Sequence, residues 1–132
     1  MIELLLPYPV SANLYWRHAR GKTYRSAAAN DYRMHIVLAV RKAGLFSPLA
    51  GDLAITYTLH PLKPKDAAKR ERMLGADWHS KVRCIDLGNC EKVASDALNG
   101  VAIIDDSQFR RITLIRDVPV DGGALHVRIE RA

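Results

Sequence analysis

The sequence predicts an α+β domain, a mixed sheet of about four strands packed with two helices, in the order β-α-β-α-β-β. Three observations carry that expectation. Four short stretches read as strands, and two longer ones repeat their apolar residues at helical spacing. The 132 residues, 48% of them hydrophobic, suffice for one core and are read as a single domain spanning 1–132.

Ile2–Leu6 is the first strand, stopped by Pro7 and Pro9. Ser11–Arg25 is polar, basic and aromatic without a clean period, and reads as a loop. Ser26 can cap a helix running to about Lys42, where Ala29, Tyr32, Ile36 and Ala39 recur at three- and four-residue spacing before Gly44 ends it. Asp52–His60 sets Leu53, Ile55, Tyr57 and Leu59 on one face, the pattern of a half-buried strand. Pro61–Arg83 is an extended basic loop, with Lys63, Lys65, Lys69, Arg70, Arg72, Lys81 and Arg83 against Asp66, Glu71 and Asp77. Within it Ala67–Leu74 has room for a turn or two of helix, and a loop of this length in a small domain is usually functional.

A second helix starts near Leu87 and ends at Asn99-Gly100. Leu87, Cys90, Ala94, Ala97, Leu98 and Val101 mark its buried stripe, leaving Glu91, Lys92, Ser95, Asp96 and Asn99 elsewhere on its circumference. Phe109–Arg116 and Ala124–Arg131 read as strands joined by the turn Pro119-Val120-Asp121-Gly122-Gly123.

The net charge of +6, from 20 Lys and Arg against 14 Asp and Glu, points to a polyanionic partner, nucleic acid before an anionic membrane surface. The start of the chain has no basic n-region and its apolar run ends at Pro7, so it reads as neither signal peptide nor membrane span. Two cysteines, Cys84 and Cys90, are too few for a zinc motif, and Cys90 lies on the apolar stripe as a buried reduced thiol. These features fit the cytosol.

Against this basic background, Asp86, Glu91, Asp96, Asp105 and Asp106 gather around the second helix, with Lys92 among them. Acids in a basic chain repel a polyanion unless they hold a divalent cation, which turns the site attractive to phosphate. Magnesium prefers oxygen ligands and retains several waters, so two to four carboxylates suffice. Structural roles compete for the same residues. Asp86 is a good helix N-cap, Asp105-Asp106-Ser107 is an ordinary turn, and Lys92 with Asp96 makes an exposed helix pair worth only about 0.3–0.5 kcal/mol.

The order Asp86…Asn89…Lys92…Asp96-Ala97-Leu98…Asp105-Asp106…Gln108 resembles the signature of the RusA-type Holliday junction resolvases. Leu6-Pro7-Tyr8-Pro9-Val10-Ser11-Ala12-Asn13, Tyr15, Arg17-His18, Arg20-Gly21, Thr23, Ser26 and Tyr32-Arg33 resemble that family's opening segment. The resemblance implies a homodimeric endonuclease dependent on Mg²⁺, with Mn²⁺ able to substitute, that resolves four-way DNA junctions by paired symmetric nicks during recombination and repair. It also implies a bacterial or phage-infected cell, the cytoplasm and nucleoid, and a frequent prophage origin.

On the same resemblance Asp86, Lys92 and Asp106 are the catalytic residues, and Asp86, Asp105 and Asp106 the metal ligands. Asp96 matches a further acidic position near the site. Gly88 departs from the family's Asp-x-Asp-Asn motif, which has its second aspartate there, and Pro61–Arg83 is longer than the founding members' loop. Two alternatives follow from these departures. One is a catalytically weakened junction-binding protein, the other a less selective nuclease of branched DNA.

Arg17, Arg20, Lys22 and Arg25, interleaved with Tyr15, Trp16, His18 and Tyr24, form the principal candidate DNA contact, against the plainer reading of a solvated loop. Asn13, His18, Lys63, Lys65, Lys69 and Arg70 complete the expected set. Trp78-His79 offers either a base-stacking platform or an anchor for the long loop.

Overall fold

The computed structural model describes residues 1–132. Its central strand is β4 (Leu53–His60), where Leu53, Ile55, Tyr57 and Leu59 are all at most 1% exposed. On one side β4 pairs antiparallel with β6 (Ala124–Arg131), which pairs in turn with β1 (Ile2–Leu6). On the other side it pairs parallel with β5 (Phe109–Arg116), so the mixed sheet has the order β1-β6-β4-β5.

Two helices cover one face of this sheet, as the sequence predicts. Helix α2 (Ala27–Lys42) packs toward β1, and α4 (Leu87–Leu98) packs over β4 and β5. Ser26 caps α2 by accepting from the Ala29 amide at 3.1 Å, and Ala29, Tyr32, Ile36 and Val40 form its buried stripe. The expected strands Ile2–Leu6, Phe109–Arg116 and Ala124–Arg131 keep those bounds. Tyr57 reaches from β4 to Ser95 of α4, hydroxyl to hydroxyl at 2.7 Å. Ser95 is therefore 1% exposed rather than on the outer surface of the helix, and it also donates to Glu91 Oε1 at 2.8 Å. Pairing satisfies the hydroxyls that burial takes from water.

Three expectations are corrected. Residues 11–25 are not a loop. Ser11 caps the single-turn helix α1 (Ala12–Tyr15), and the hairpin β2 (Trp16–Ala19) and β3 (Lys22–Arg25) follows. Arg20 and Gly21, at φ 51 and 71, form the two-residue turn, whose left-handed backbone conformations match the right-handed twist of the flanking strands. Second, β5 and β6 do not form a hairpin, because β4 lies between them and residues 117–123 cross from one side of it to the other. Third, the 61–83 segment is more ordered than a loop, with helix α3 (Ala67–Leu74) followed by a 3₁₀ segment, Gly75–Lys81. No helix is long and apolar enough to cross a membrane.

Candidate active site and nucleic-acid interface

Asp86 occupies the N-cap of α4, its Oδ1 accepting from the Asn89 amide at 2.7 Å. Asn89 Oδ1 accepts from the Ala12 amide at 2.7 Å, which joins the start of α1 to the start of α4. The segment entering the cap is held by Tyr8, whose hydroxyl accepts from the Ile85 amide at 2.8 Å and donates to Cys84 Sγ at 3.9 Å. Burial raises the Tyr8 phenol above its ordinary value, so it remains a protonated donor. Asp86 is exposed and its Oδ2 has no partner within the chain. A cleft of about 750 Å³ opens beside it, lined among others by Tyr8, Arg70, Lys81, Arg83 and Asn89. Lys92 is exposed one and a half turns further along α4 and makes no ion pair.

Gly88 stands in the first turn of α4 with ordinary helical backbone. A Cβ there meets only Asp86 Oδ1, at 3.6 Å, so the backbone does not demand glycine.

The other acids lie elsewhere. Asp105 caps a 3₁₀ turn, Asp106–Gln108, by accepting from the Ser107 amide at 3.1 Å, and that hydrogen bond holds its pKa below the usual carboxylate range. Gln108 locks the turn, accepting from the Ile104 and Asp105 amides and donating to the carbonyls of Leu49 and Gly51. Asp106 is exposed and its carboxylate has no hydrogen-bond partner within the chain.

Helix α4 separates the two ends. Its 12 residues put the 86 end about 18 Å from the 98 end. The sheet says the same. Asp106 precedes β5 at the edge where β4 begins, since Leu53 is registered with Phe109. The 82–86 segment lies at the opposite edge, where Arg116 at the end of β5 donates to the Val82 carbonyl at 2.5 Å. Asp86 and Asp106 thus occupy opposite ends of one subunit. No group of three or more His, Cys, Asp or Glu side chains within it is placed to hold a metal ion.

Asp96 serves a different purpose. Its carboxylate accepts from the Tyr15 hydroxyl and from Arg25 Nε at 2.8 Å, with Arg33 Nη1 at 3.7 Å. Partial burial opposes its ionisation, and the hydrogen bonds from Arg25 and Tyr15 with the charges of Arg25 and Arg33 outweigh it, lowering its pKa. The Tyr15 phenol is pushed up to about 12 by burial and by Asp96. The Asp96 group anchors the hairpin to α4, a role that residue spacing alone does not announce.

Arg17, His18, Arg20, Lys22 and Tyr24 project from that hairpin, all exposed, and Asn13 is exposed on α1. Arg25 is engaged by Asp96 rather than free. Lys63, Lys65 and Lys69 are exposed around α3, while Arg70 is half-buried, bonded to Asp66 at 2.8 Å and turned into the cleft. The half-buried Trp78 sits edge-on to His79, with ring centroids 6.2 Å apart.

The sequence profile described as "Endodeoxyribonuclease RusA" matches residues 7–130, nearly the whole chain. This chain belongs to the RusA endodeoxyribonuclease family. It is 30% identical over 128 residues to proteins named crossover junction endodeoxyribonuclease RusA from Escherichia coli (strain K12) and Shigella sonnei, covering 96% of this chain and 92% of each relative. A RusA protein of the same description from Enterobacteria phage 82 is 28% identical over the same span. Both Asp86 and Asp106, and the hairpin, fall inside the RusA match.

Proposed function

We propose that the chain, as one nuclease domain, is a homodimeric endodeoxyribonuclease that resolves four-way DNA junctions by paired nicks, working in the cytoplasm on nucleoid DNA. RusA family membership supports the reaction class, and one geometric observation shapes the site. Asp86 and Asp106, each with a carboxylate oxygen free, stand at opposite ends of a subunit. The residues of a single subunit therefore do not fit a metal ion, whereas Asp86 of one protomer with Asp105 and Asp106 of a second form an all-oxygen donor set suited to Mg²⁺ or Mn²⁺. A divalent ion held there supplies charge neutralisation at the scissile phosphate and lowers the pKa of a bound water.

The chain's own groups do the rest. The N-terminus of α4 and the cleft cations Arg70, Lys81 and Arg83 attract the phosphate, and Lys92 offsets charge that develops on its oxygens. The hairpin cations Arg17, Arg20 and Lys22, with Lys63, Lys65 and Lys69, hold the flanking backbone. A two-fold dimer presents two such sites, matching the two-fold symmetry of a four-way junction.

The test uses a synthetic four-way junction with Mg²⁺. Parent protein is expected to make paired symmetric nicks, and Asp86→Asn and Asp106→Asn alone to bind without cutting. Mixed after subunit exchange, the two variants regain single nicks, because each mixed dimer contains one intact shared site. No recovery on mixing, with both variants folded and exchanging, refutes the shared site. Because Gly88 leaves out one family carboxylate, binding without cutting by the parent under both Mg²⁺ and Mn²⁺ favours the second reading, a junction-binding protein. Equal cutting of flaps and forks favours a less selective nuclease.

A further inference from the structure

We infer that the cleft beside Asp86 is a base-binding site, in which an unpaired nucleobase stacks on Tyr8 against an apolar wall completed by Leu62. The inference deepens the proposed function and rests on it for the source of the base, the strand at the branch point. Three observations carry it.

First, the cleft is larger and more apolar than a phosphate site requires. Its volume of about 750 Å³ lies in the range of pockets that take small organic ligands. Tyr8, Pro9, Leu62, Val82 and Ile85 supply an apolar wall, and Arg70, Lys81 and Arg83 line the same cleft. Lys81 and Arg83 are exposed and form no ion pair, whereas Arg70 is bonded to Asp66. A flat apolar body joined to an anion is the chemistry of a nucleotide. A phosphate alone leaves the apolar wall uncovered, and an apolar peptide side chain leaves the cations without a partner.

Second, the wall is held rigidly and left open. Tyr8 is pinned at its hydroxyl by the Ile85 amide at 2.8 Å, and its ring abuts Gly123 in the 117–123 crossover. Gly123 has a φ of 66, and a Cβ there would stand 2.8 Å from Tyr8 Cδ2, so this close approach requires glycine. The same crossover fixes the backbone around Leu62. The Lys63 amide donates to the Val120 carbonyl at 2.9 Å, and the Val120 amide donates to the Pro61 carbonyl at 3.0 Å. Leu62 is nevertheless 50% exposed and Tyr8 is only half-buried. An apolar surface already fixed in place gives up little conformational freedom when a ligand covers it.

Third, Asp86 and Asn89 line the same cleft. A base seated there therefore belongs to a nucleotide next to the phosphate that Asp86 serves. Stacking on an aromatic ring accepts any base, because every base has a π-face. The site thus selects an unpaired nucleotide rather than a sequence. A linear duplex keeps its bases paired and stacked, whereas a branch point can release one.

The experiment measures binding by anisotropy without divalent metal, on four-way junctions in which one branch-point nucleotide at a time is made abasic. For the nucleotide that enters the cleft, loss of the base is expected to weaken binding by the parent about tenfold. Tyr8→Leu should bind the intact junction about tenfold more weakly and lose the response to the abasic site. Tyr8→Phe lacks the same hydroxyl but keeps the ring, and should keep the parental response. Leu62→Ser, at a half-exposed position, should fold and cut the response about threefold or more; it decides the matter if Tyr8→Leu does not fold. An abasic effect equal in the parent, Tyr8→Leu and Leu62→Ser at every position overturns the proposal and leaves the junction reading standing. Loss of the response in Tyr8→Phe as complete as in Tyr8→Leu also overturns it, by assigning Tyr8 to holding the Ile85 segment. A parent that binds linear duplex as tightly as the junction sinks the junction reading instead. The same comparison on a single strand then tests the base site by itself: a response lost in Tyr8→Leu supports it, and an equal effect in both proteins overturns it.

Discussion

At the residue scale, Asp86 has two roles that conservative substitution separates. Its Oδ1 caps α4, and its Oδ2 is free for a ligand. Asparagine caps a helix about as well as aspartate, whereas alanine costs about 1 kcal/mol. Asp86→Asn should therefore melt within a degree or two of the parent and lose nicking, while Asp86→Ala should lose both nicking and roughly 3–5 °C of melting temperature. Thermal melts beside a nicking assay decide this, and equal melts for the two variants show that the cap contributes nothing. Gly88 permits the opposite experiment. A Cβ there meets only Asp86 Oδ1 at 3.6 Å. Gly88→Asp should fold, and by adding a carboxylate beside Asp86 should tighten Mn²⁺ binding about tenfold or more. Titration calorimetry reads it, and unchanged affinity places Gly88 outside the metal's reach.

The two thiols also separate at this scale. Burial pushes the Cys90 thiol up to about 12, and it lies at 0% exposure in the core. Cys84 is half-buried at the cleft. A thiol reagent at neutral pH should label Cys84 first and Cys90 only as the whole domain unfolds. Comparable rates for both would mean that α4 opens locally.

At the scale of elements, Asp96 decides where the hairpin stands. Tyr15, Arg25 and Arg33 converge on it from α1, β3 and α2. A carboxylate with a lowered native pKa contributes stability that is fully present above its unfolded value of about 3.9 and is lost as pH falls through the native value. Asp96→Asn should cost about 1–3 kcal/mol at pH 7 through weakened hydrogen bonds to charged groups, and should flatten the loss of stability below about pH 4. Denaturant melts from pH 7 down to pH 3 check both. A parental pH profile in the variant would remove Asp96 from the electrostatic account.

Legibility at this scale followed the core. Helix α2 and β6 were readable because burial on one face imposes period 3.6 or 2 on the residues. The hairpin Trp16–Arg25 was not, because seven of its eight strand residues are exposed and no core selects their alternation. Its one local signal was Arg20-Gly21, a glycine where the turn requires positive φ. Ser95 was misplaced because its burial depends on the Tyr57 hydroxyl, 38 residues away in sequence.

At the scale of the whole molecule, three of the 20 Lys and Arg side chains line the exposed hairpin proposed to meet DNA. Arg17, Arg20 and Lys22 are exposed on one hairpin and form no ion pairs. Each phosphate contact contributes a slope of about −0.9 to log affinity against log salt. Replacing all three with glutamine should flatten the slope for junction binding by up to about 2.7 while leaving the melt within about 1 kcal/mol. Anisotropy titrations between low and moderate salt measure this. An unchanged slope would move the DNA path off the hairpin.

What the sequence determined by itself is what local chemistry can encode: strands and helices with one buried face, the Ser26 and Asp86 caps, the basic character and, through residue order, the likeness to RusA. The tertiary structure alone decided that β4 separates β5 from β6, that Asp96 is an anchor, and that Asp86 and Asp106 stand at opposite ends of the subunit. Periodicity and capping act over one or two turns of chain. Strand order and the separation of two carboxylates depend on which distant segments share the core, and no spacing along the chain records that.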